Sequence, residues 1–296
     1  MTSSAQSQDE EGPDGFDLFA EPADYRPSTP PPHTVRLPYD FSGTSSTTAL
    51  SSSKDRQGES TEELTIHLLG SHPLWGHHLW NACLDISRYL QTYAATLVKG
   101  KCVLELGAAA GVPSIVCARE GADVVVASDY PDEQLVEVLG KNLTTNTSAS
   151  SNQKIVSQGF LWGASSDAVK AHLPNGSPGF DLVLLSDLLF NHQAHGALFD
   201  SLDACLAPGY STPSVSPSAP TQDPSQLYAH DEVNAAFPDG LEHGDFTITT
   251  PATPCALVFF THHRPHKADR DIAFFQMARD RGWVVERIGR WRREVS

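Results

Sequence analysis

The amino-acid sequence predicts an α/β fold, a doubly wound and mostly parallel sheet covered by helices on both faces. Apolar runs of strand length alternate with segments of helical periodicity from about residue 100 to residue 208, and the alternation resumes at residue 255. Two of these runs, Ala122–Asp129 and Phe180–Asp187, are apolar over most of their length, which is typical of parallel strands buried on both faces. A turn of small residues, Gly107 to Gly111, follows a third apolar run, Lys101–Leu106.

The predicted elements begin with a short strand, in which Leu64, Ile66 and Leu68 alternate with polar residues, and a helix that starts near Trp80. The later elements are strand Lys101–Leu106, helix Val112–Glu120, strand Ala122–Asp129, helix Asp132–Asn146, strand Lys154–Phe160, strand Phe180–Asp187, helix Ala194–Leu206, strand Cys255–His263, helix Asp269–Arg281 and strand Gly282–Gly289.

Two segments have a composition unsuited to a packed core. Residues 1–60 are acidic and rich in Ser and Pro, so we expect them to be largely disordered. Two islands in that segment, Gly15–Pro27 and His33–Gly43, contain apolar residues, and we favour their docking onto the domain or a partner over ordinary tail composition. Residues 209–252 read as a disordered insertion into one folded domain, residues 61–296.

Composition restricts the classes of function. The formal net charge is −16 over 296 residues, which disfavours binding to nucleic acid and suits a basic protein partner, although it also serves solubility. The five cysteines form no C-x-x-C pair, as expected for free thiols in a reducing compartment. We find no export signal and no apolar stretch long enough for a membrane. We therefore expect a cytoplasmic monomer that does not bind membranes.

The turn after Lys101–Leu106 does not have the pattern of a phosphate-binding loop. The dinucleotide fingerprint G-x-G-x-x-G would need glycines at positions 107, 109 and 112, whereas the chain has Gly107, Ala109 and Val112. Glu105, just before the turn, would lie near a pyrophosphate and repel it. An NAD-dependent oxidoreductase is therefore disfavoured.

Asp129 ends the next strand, about 20 residues beyond Gly107, where an acid binds the hydroxyl pair of a ribose. It would otherwise be an acid at a helix N-terminus, but the strand end and the spacing together favour ribose. S-adenosylmethionine fits these acids better than NAD, because it is a nucleoside with a sulfonium and an ammonium group. Glu105 would either face that positive charge or orient the loop through backbone N–H groups.

Several motifs resemble a known family. "VLELGAAAG" and "VVVASDYPD" are similar to the glycine and ribose motifs of the seven-β-strand methyltransferases. "HPLWGHHLWNA", "GFLWG" and "DLVLLSDLLFNH" narrow the resemblance to the family-16 protein methyltransferases, and among them to the fungal enzymes that act on translation elongation factor 1-alpha. The resemblance covers most of residues 15–208 and 255–290.

This resemblance implies a seven-stranded, Rossmann-like methyltransferase sheet. Because "RIGRWRREVS" ends early for such a sheet, we expect the final strand to be shortened or missing. It implies methylation of the N-terminal glycine and adjacent lysine of elongation factor 1-alpha. It also implies that the cofactor contacts Trp80, Gly107, Ala108, Ala109, Asp129, Trp162 and Ser186. The charge of Glu105 makes this residue a further candidate for a cofactor contact. Trp162 would cover the adenine, Ser186 would lie near that ring, and Trp80 would close the methionine end, although core packing is the alternative for both tryptophans.

The acceptor amine is expected beside the end of Phe180–Asp187. Asp187 is predicted to orient the amine, assisted by Asn191 or His192, although Asp187 would otherwise cap the following segment. Two histidine clusters, His72/His77/His78 and His262/His263/His266, lack the ligand spacing of a zinc site, so we expect no metal. The alternatives are a small-molecule, nicotinamide-like N-methyltransferase and an inactive scaffold that binds the cofactor.

Overall fold

The computed structural model describes residues 30–41, 62–74, 76–148, 152–208 and 251–288. Five strands form one parallel sheet in the order β5-β4-β3-β6-β7, which confirms the predicted fold class, and two more form an antiparallel pair, β1 and β2. The strands of the described residues are β1 (His33–Pro38), β2 (Glu63–Leu68), β3 (Cys102–Leu106), β4 (Val124–Asp129), β5 (Lys154–Gly159), β6 (Leu182–Ser186) and β7 (Cys255–Phe259).

The helices connect the strands in the manner of crossover units, and the longer ones begin and end within about three residues of their predicted limits. They are α1 (Asn81–Thr92), α2 (Ala94–Leu97), α3 (Val112–Arg119), α4 (Glu133–Asn146), α5 (Asp167–Lys170), α6 (His195–Cys205) and α7 (Ala268–Asp280). Helix α4 begins where the sequence indicates, because the carboxylate of Asp132 accepts hydrogen bonds from the backbone N–H groups of Gln134 and Leu135.

The central sheet divides the core into two layers. Every residue of β3 and β6 is buried, and successive residues point to opposite faces. Val103 packs into the cluster on one face with α1 and α3, whereas its neighbour Leu104 packs into the cluster on the other face with α6 and α7. Burial on both faces is why these strands are continuous apolar runs in the sequence.

Helix α4 holds the β1–β2 pair through two amide side chains. The side chain of Asn142 accepts a hydrogen bond from the backbone N–H of His67 (2.8 Å) and donates one to its carbonyl oxygen (3.0 Å). Asn146, one turn later, makes the same pair of bonds with Thr65, at 2.7 and 2.9 Å. Backbone groups at the edge of β2 are thus satisfied by a helix instead of a further strand.

The predicted strand Gly282–Gly289 is not formed, because its described part, residues 282–288, has no strand structure. The Trp283 indole instead donates to Asp203 of α6 at 2.9 Å and packs edge-on against Phe199, with 5.3 Å between ring centroids. Trp283 and Val285 pack against the cluster that contains α6, whereas Ile288 packs against the cluster on the other face and Val284 is exposed. The described residues accordingly form seven strands, five in the parallel sheet and two in the antiparallel pair.

Three predictions fall wholly or largely outside the described residues. They are the disorder of residues 1–60, of which only 30–41 are described, the docking of Gly15–Pro27, and the insertion, of which only residues 251 and 252 are described. The second island, His33–Gly43, contributes β1, which pairs with β2 from His33 opposite Leu68 to Pro38 opposite Glu63.

Candidate active site

The loop after β3 has an unusual backbone conformation that brings it close to its neighbours. Gly107, Ala109 and Gly111 all have positive φ, at 63°, 46° and 74°. A side chain at Gly107 would not fit, since its Cβ would lie 2.7 Å from Cδ2 of Leu188 and 3.1 Å from Cζ2 of Trp162. Ala109 adopts a conformation that glycine adopts more readily, so the alanine adds backbone strain to this turn.

Glu105 lies beneath this loop and is 1% exposed. Its Oε2 accepts hydrogen bonds from the backbone N–H (3.0 Å) and the hydroxyl (2.5 Å) of Ser114, in the first turn of α3. Burial raises the pKa of Glu105 to about 8, although the two bonds from Ser114 oppose the shift. Of the two interpretations from the sequence, the geometry favours the second, in which Glu105 fixes the path from the loop into α3.

Asp129 joins the end of β4 to the same loop. Its Oδ2 accepts a hydrogen bond from the N–H of Ala109, and its Oδ1 accepts one from the N–H of Tyr130, both at 2.7 Å. Desolvation raises the pKa of this carboxyl above its ordinary value, although the backbone bonds lower it. A carboxylate has about four acceptor positions, so each oxygen can accept a further bond from a ribose hydroxyl.

Asn142 supports the loop from the opposite side. Besides binding β2, its amide donates to the carbonyl oxygen of Ala110 at 3.1 Å, and the side chain is fully buried. The sequence gives no direct sign of this role, because an asparagine late in a helix reads as a C-terminal signal. Asn142 and Ser114 are thus loop-supporting residues that sequence reasoning did not find.

Ser186, the last residue of β6, has a buried hydroxyl with no hydrogen-bond partner among the described residues. An unpaired buried hydroxyl is costly and commonly marks a ligand site. Trp162, which follows β5, is half-buried and reaches Gly107 and the apolar cluster of α6. Its packing against this cluster agrees with the core interpretation, and its position beside Gly107 leaves the adenine contact as a prediction.

Asp187 follows Ser186 and is held in a strained, buried position. Its φ is 59°, which is unusual for a residue other than glycine, and the residue is 3% exposed. Its Oδ1 accepts a hydrogen bond from the N–H of Thr261 and lies 3.0 Å from Nε2 of His263, both in the segment after β7. These bonds are made to the β7 side, so Asp187 does not act as the cap of the following segment.

Trp80 lies at the N-terminus of α1 and contacts His263. Its ring centroid is 5.0 Å from that of His263, with the rings edge to face, and Phe190 contacts the same histidine at 5.8 Å. Trp80 and Asp187 are therefore brought together through His263. The sequence marked that histidine only as a member of the cluster His262/His263/His266.

A further buried carboxylate, Asp271 of α7, connects two histidines. Its Oδ1 lies 2.6 Å from Nε2 of His192, and its Oδ2 lies 2.7 Å from Nδ1 of His262. His192 is thus bound to α7 and reaches the site indirectly, whereas Asn191 is exposed. No signal in the sequence marked Asp271, which lies in the first turn of a helix where an acid is common.

The gathered groups fit S-adenosylmethionine. Asp129 offers acceptors for a ribose, Ser186 offers an unpaired hydroxyl, and Gly107 leaves room for a close approach to backbone. Among the described residues, no group of three or more His, Cys, Asp or Glu side chains is arranged to hold a metal ion. A surface cavity of about 760 Å³ lies elsewhere, near Asp123 and Gln153, which precede β4 and β5. It is on the opposite edge of the sheet from the carboxyl ends of the strands.

Known proteins resemble the chain over most of its length. A family described as "Lysine methyltransferase" matches residues 59–213. A Cryptococcus neoformans "Protein N-terminal and lysine N-methyltransferase EFM7" is 40% identical over 230 residues, which are 77% of this chain and 67% of the relative. The Schizosaccharomyces pombe and Neurospora crassa proteins of the same name are 34% and 31% identical, covering 93% and 92% of this chain and 85% and 77% of the relatives.

No helix within the described residues has the length and apolar character needed to cross a membrane. The family match spans β2 to α6 and so includes the glycine loop, Asp129 and Asp187. The chain therefore belongs to the lysine methyltransferase family and is an S-adenosylmethionine-dependent protein N-methyltransferase.

Proposed function

We propose that this protein methylates the N-terminal glycine and the adjacent lysine of translation elongation factor 1-alpha in the cytoplasm. The observation that carries the proposal is the buried, strained carboxylate of Asp187 directly after the unpaired hydroxyl of Ser186, at the carboxyl end of β6. Bound S-adenosylmethionine supplies an electrophilic methyl group on a positively charged sulfur. The residues then have to position a neutral amine and exclude water.

The cofactor site is assigned to residues at the ends of β3, β4, β5 and β6. Asp129 binds the ribose hydroxyls, while the backbone from Gly107 to Ala109 lies along the methionine end. Trp162 covers the adenine, and the hydroxyl of Ser186 gains a partner there. Trp80 closes the methionine end, and Glu105 acts indirectly, through its bonds to Ser114.

The acceptor end is assigned to Asp187, with Asn191 and His192 nearby. Asp187 accepts a hydrogen bond from the incoming amine, because a second oxygen remains beyond its contacts with Thr261 and His263. Asn191 is exposed where the substrate would enter. His192 shapes the loop through its contact with Asp271.

A protein N-terminus followed by lysine carries two positive charges, which suits a chain with a net charge of −16. The relatives named above are described as acting on protein N-termini and lysine, which supports the same substrate class. The cysteines at all five positions are free thiols, in keeping with a reducing compartment. The alternative, a nicotinamide-like small amine, would not require this charge.

The test uses labelled S-adenosylmethionine, the purified protein and recombinant elongation factor 1-alpha with a free N-terminal glycine. We expect label on that glycine and the following lysine by peptide mass spectrometry, and none on the glycine when it is acetylated. Label on nicotinamide but not on the protein would favour the alternative. Label only on internal lysines would overturn the N-terminal assignment.

Two variants separate the cofactor site from the acceptor site. Asp129→Ala should remove detectable cofactor binding in calorimetry, whereas Asp187→Ala should keep the affinity and lower turnover by at least about 100-fold. Asp123→Ala, at the opposite edge of the sheet, is the matched control and should change neither. The reverse pattern in the first two variants would show that their roles are exchanged.

A further inference from the structure

We propose that His263 is a further catalytic residue, which accepts a proton at Nδ1 from the acceptor ammonium group while Asp187 holds its other ring nitrogen. This proposal rests on the proposed function, since it concerns the amine acceptor of that reaction. A base is needed because the amine must be neutral to attack. An α-ammonium group has a pKa near 8 and a lysine ammonium group one near 10.4, so both are mostly protonated at pH 7.

The contact between Asp187 and His263 determines which ring nitrogen is basic. Nε2 lies 3.0 Å from the carboxylate oxygen Oδ1 of Asp187, and a carboxylate is an acceptor only. The neutral imidazole therefore carries its proton on Nε2, and its lone pair is on Nδ1. None of the described residues forms a hydrogen bond with Nδ1. This is the arrangement in which an acid orients a histidine for proton transfer.

Two aromatic side chains hold the ring in place. Trp80 contacts it edge to face from the start of α1, and Phe190 contacts it at 87° between ring planes from the loop after β6. The His263 side chain is nevertheless 29% exposed, so a substrate can reach it. His263 thus connects the residue assigned to the methionine end, Trp80, with the residue assigned to the amine, Asp187.

The ionisable groups that act on His263 are the carboxylates of Asp187, at the end of β6, and Asp271, on α7. The faces contributed by Trp80 and Phe190 are aromatic. The hydrogen bond with Asp187 raises the pKa of His263 above its ordinary value of 6.5, against the opposing effect of burial. The raised pKa makes the neutral ring a stronger base than an ordinary histidine, which favours proton transfer from the ammonium group.

The proton balance is simple. The ammonium nitrogen gives one proton to Nδ1 and keeps the electron pair, with which it forms the new N–C bond to the transferred methyl group. The C–S bond breaks with its electron pair remaining on sulfur, which becomes neutral. His263 then releases the proton to bulk water, and the next turnover begins with a neutral ring.

The test compares His263→Gln with the wild type across pH 6 to 9.5. The amide nitrogen of glutamine can take the place of Nε2 and keep the bond to Asp187, but it cannot accept a proton. The substrate is a peptide that begins Gly-Lys with the lysine side chain acetylated, so that only the α-amine reacts. His67→Gln, in the β1–β2 pair, is the matched control, because that histidine contacts Thr34 far from the catalytic groups in the sequence and on another sheet.

We expect kcat/KM of His263→Gln to be about 100-fold lower than wild type at pH 6.5 to 7 and within about threefold at pH 9.5. The deficit shrinks because the α-amine loses its proton to water above pH 8. His67→Gln should match the wild type throughout. A deficit that is constant with pH would reveal a structural role only, and no deficit at neutral pH would also overturn the proposal.

A second measurement needs neither cofactor nor turnover. Titration of labelled imidazole groups by NMR should give His263 a pKa above 6.5 in the wild type, and Asp187→Asn should lower it, because the amide no longer stabilises the imidazolium. An unchanged titration would contradict the assigned pair. If the wild type labels no peptide while the NMR result holds, then the proposed function fails and the Asp187–His263 pair stands.

Discussion

Glu105→Gln tests how the buried carboxylate beneath the glycine loop responds to pH. In the folded protein the pKa of Glu105 is about 8, compared with an ordinary value of 4.5. Below pH 4.5 the group is protonated in both the folded and the unfolded chain and has no effect on stability. Between pH 4.5 and 8 the unfolded chain releases the proton while the folded chain retains it, so the free energy of unfolding falls as pH rises.

The magnitude follows from this difference. The shift of 8 − 4.5 = 3.5 pH units corresponds to about 5 kcal/mol at 1.36 kcal/mol per unit, fully reached above pH 8. Glutamine removes this loss, because it does not ionise. Its oxygen can accept from Ser114, but its buried NH₂ group lacks an equivalent acceptor, which costs about 2 kcal/mol.

We therefore expect Glu105→Gln to be about 1 kcal/mol less stable than wild type at pH 5.5 and about 3 kcal/mol more stable at pH 8.5. Urea denaturation of the cofactor-free protein at both pH values, followed by tryptophan fluorescence, measures the change. The difference between variant and wild type isolates Glu105 from the other titrating groups. Glu137→Gln, an exposed position on α4, is the control and should show no pH-dependent difference.

The reasoning is refuted if the stability difference between Glu105→Gln and wild type does not change between pH 5.5 and 8.5. A difference that moves in the opposite direction would be equally decisive, since it would mean that the folded state favours the ionised carboxylate.

Three further substitutions probe the site. Gly107→Ala should lower the free energy of unfolding by about 2 kcal/mol and weaken cofactor binding at least about tenfold. The reason is that a Cβ at φ 63° would collide with Leu188. Unaltered cofactor affinity in calorimetry would contradict this prediction. Ser186→Ala should stabilise the cofactor-free protein by about 1 kcal/mol, since it removes an unpaired buried hydroxyl, yet weaken cofactor binding about fivefold. A loss of both stability and affinity would show that the hydroxyl is already paired. Asp271→Ala should lower stability by about 2 kcal/mol and reduce kcat with little change in cofactor affinity, because His192 and His262 lose their common acceptor. An unchanged urea midpoint would refute that role.

The local periodicity of apolar residues in the sequence predicts most of the strands and helices. The segments that form β3, β4 and β6 are apolar because both faces of a parallel sheet are buried. A continuous apolar run can be recognised from the amino-acid sequence alone. The positions of Gly107, Asp129 and Asp187 followed as well. In a parallel sheet the carboxyl ends of the strands meet at one edge, so residues that end strands are brought together.

The same periodicity was misleading at the C-terminal segment. In Gly282–Gly289 the alternation of apolar residues predicts a strand, but Trp283 is bonded to Asp203 and packed on α6 instead. Alternation reports which side chains are buried and does not report what covers them. The hydrogen bonds that make a strand depend on a neighbouring strand, which local sequence does not specify.

The sequence by itself thus determined the fold class, and it predicts a site at the carboxyl ends of the strands with the acids Glu105, Asp129 and Asp187. The tertiary structure alone decided that Glu105 supports α3 rather than facing a ligand, and that Asp187 is paired with His263 across 76 residues of chain, from 187 to 263. The physical reason is the short range of hydrogen bonds and ion pairs. They require atoms about 3 Å apart, and only the packing of β6 beside β7 brings these two side chains within that distance.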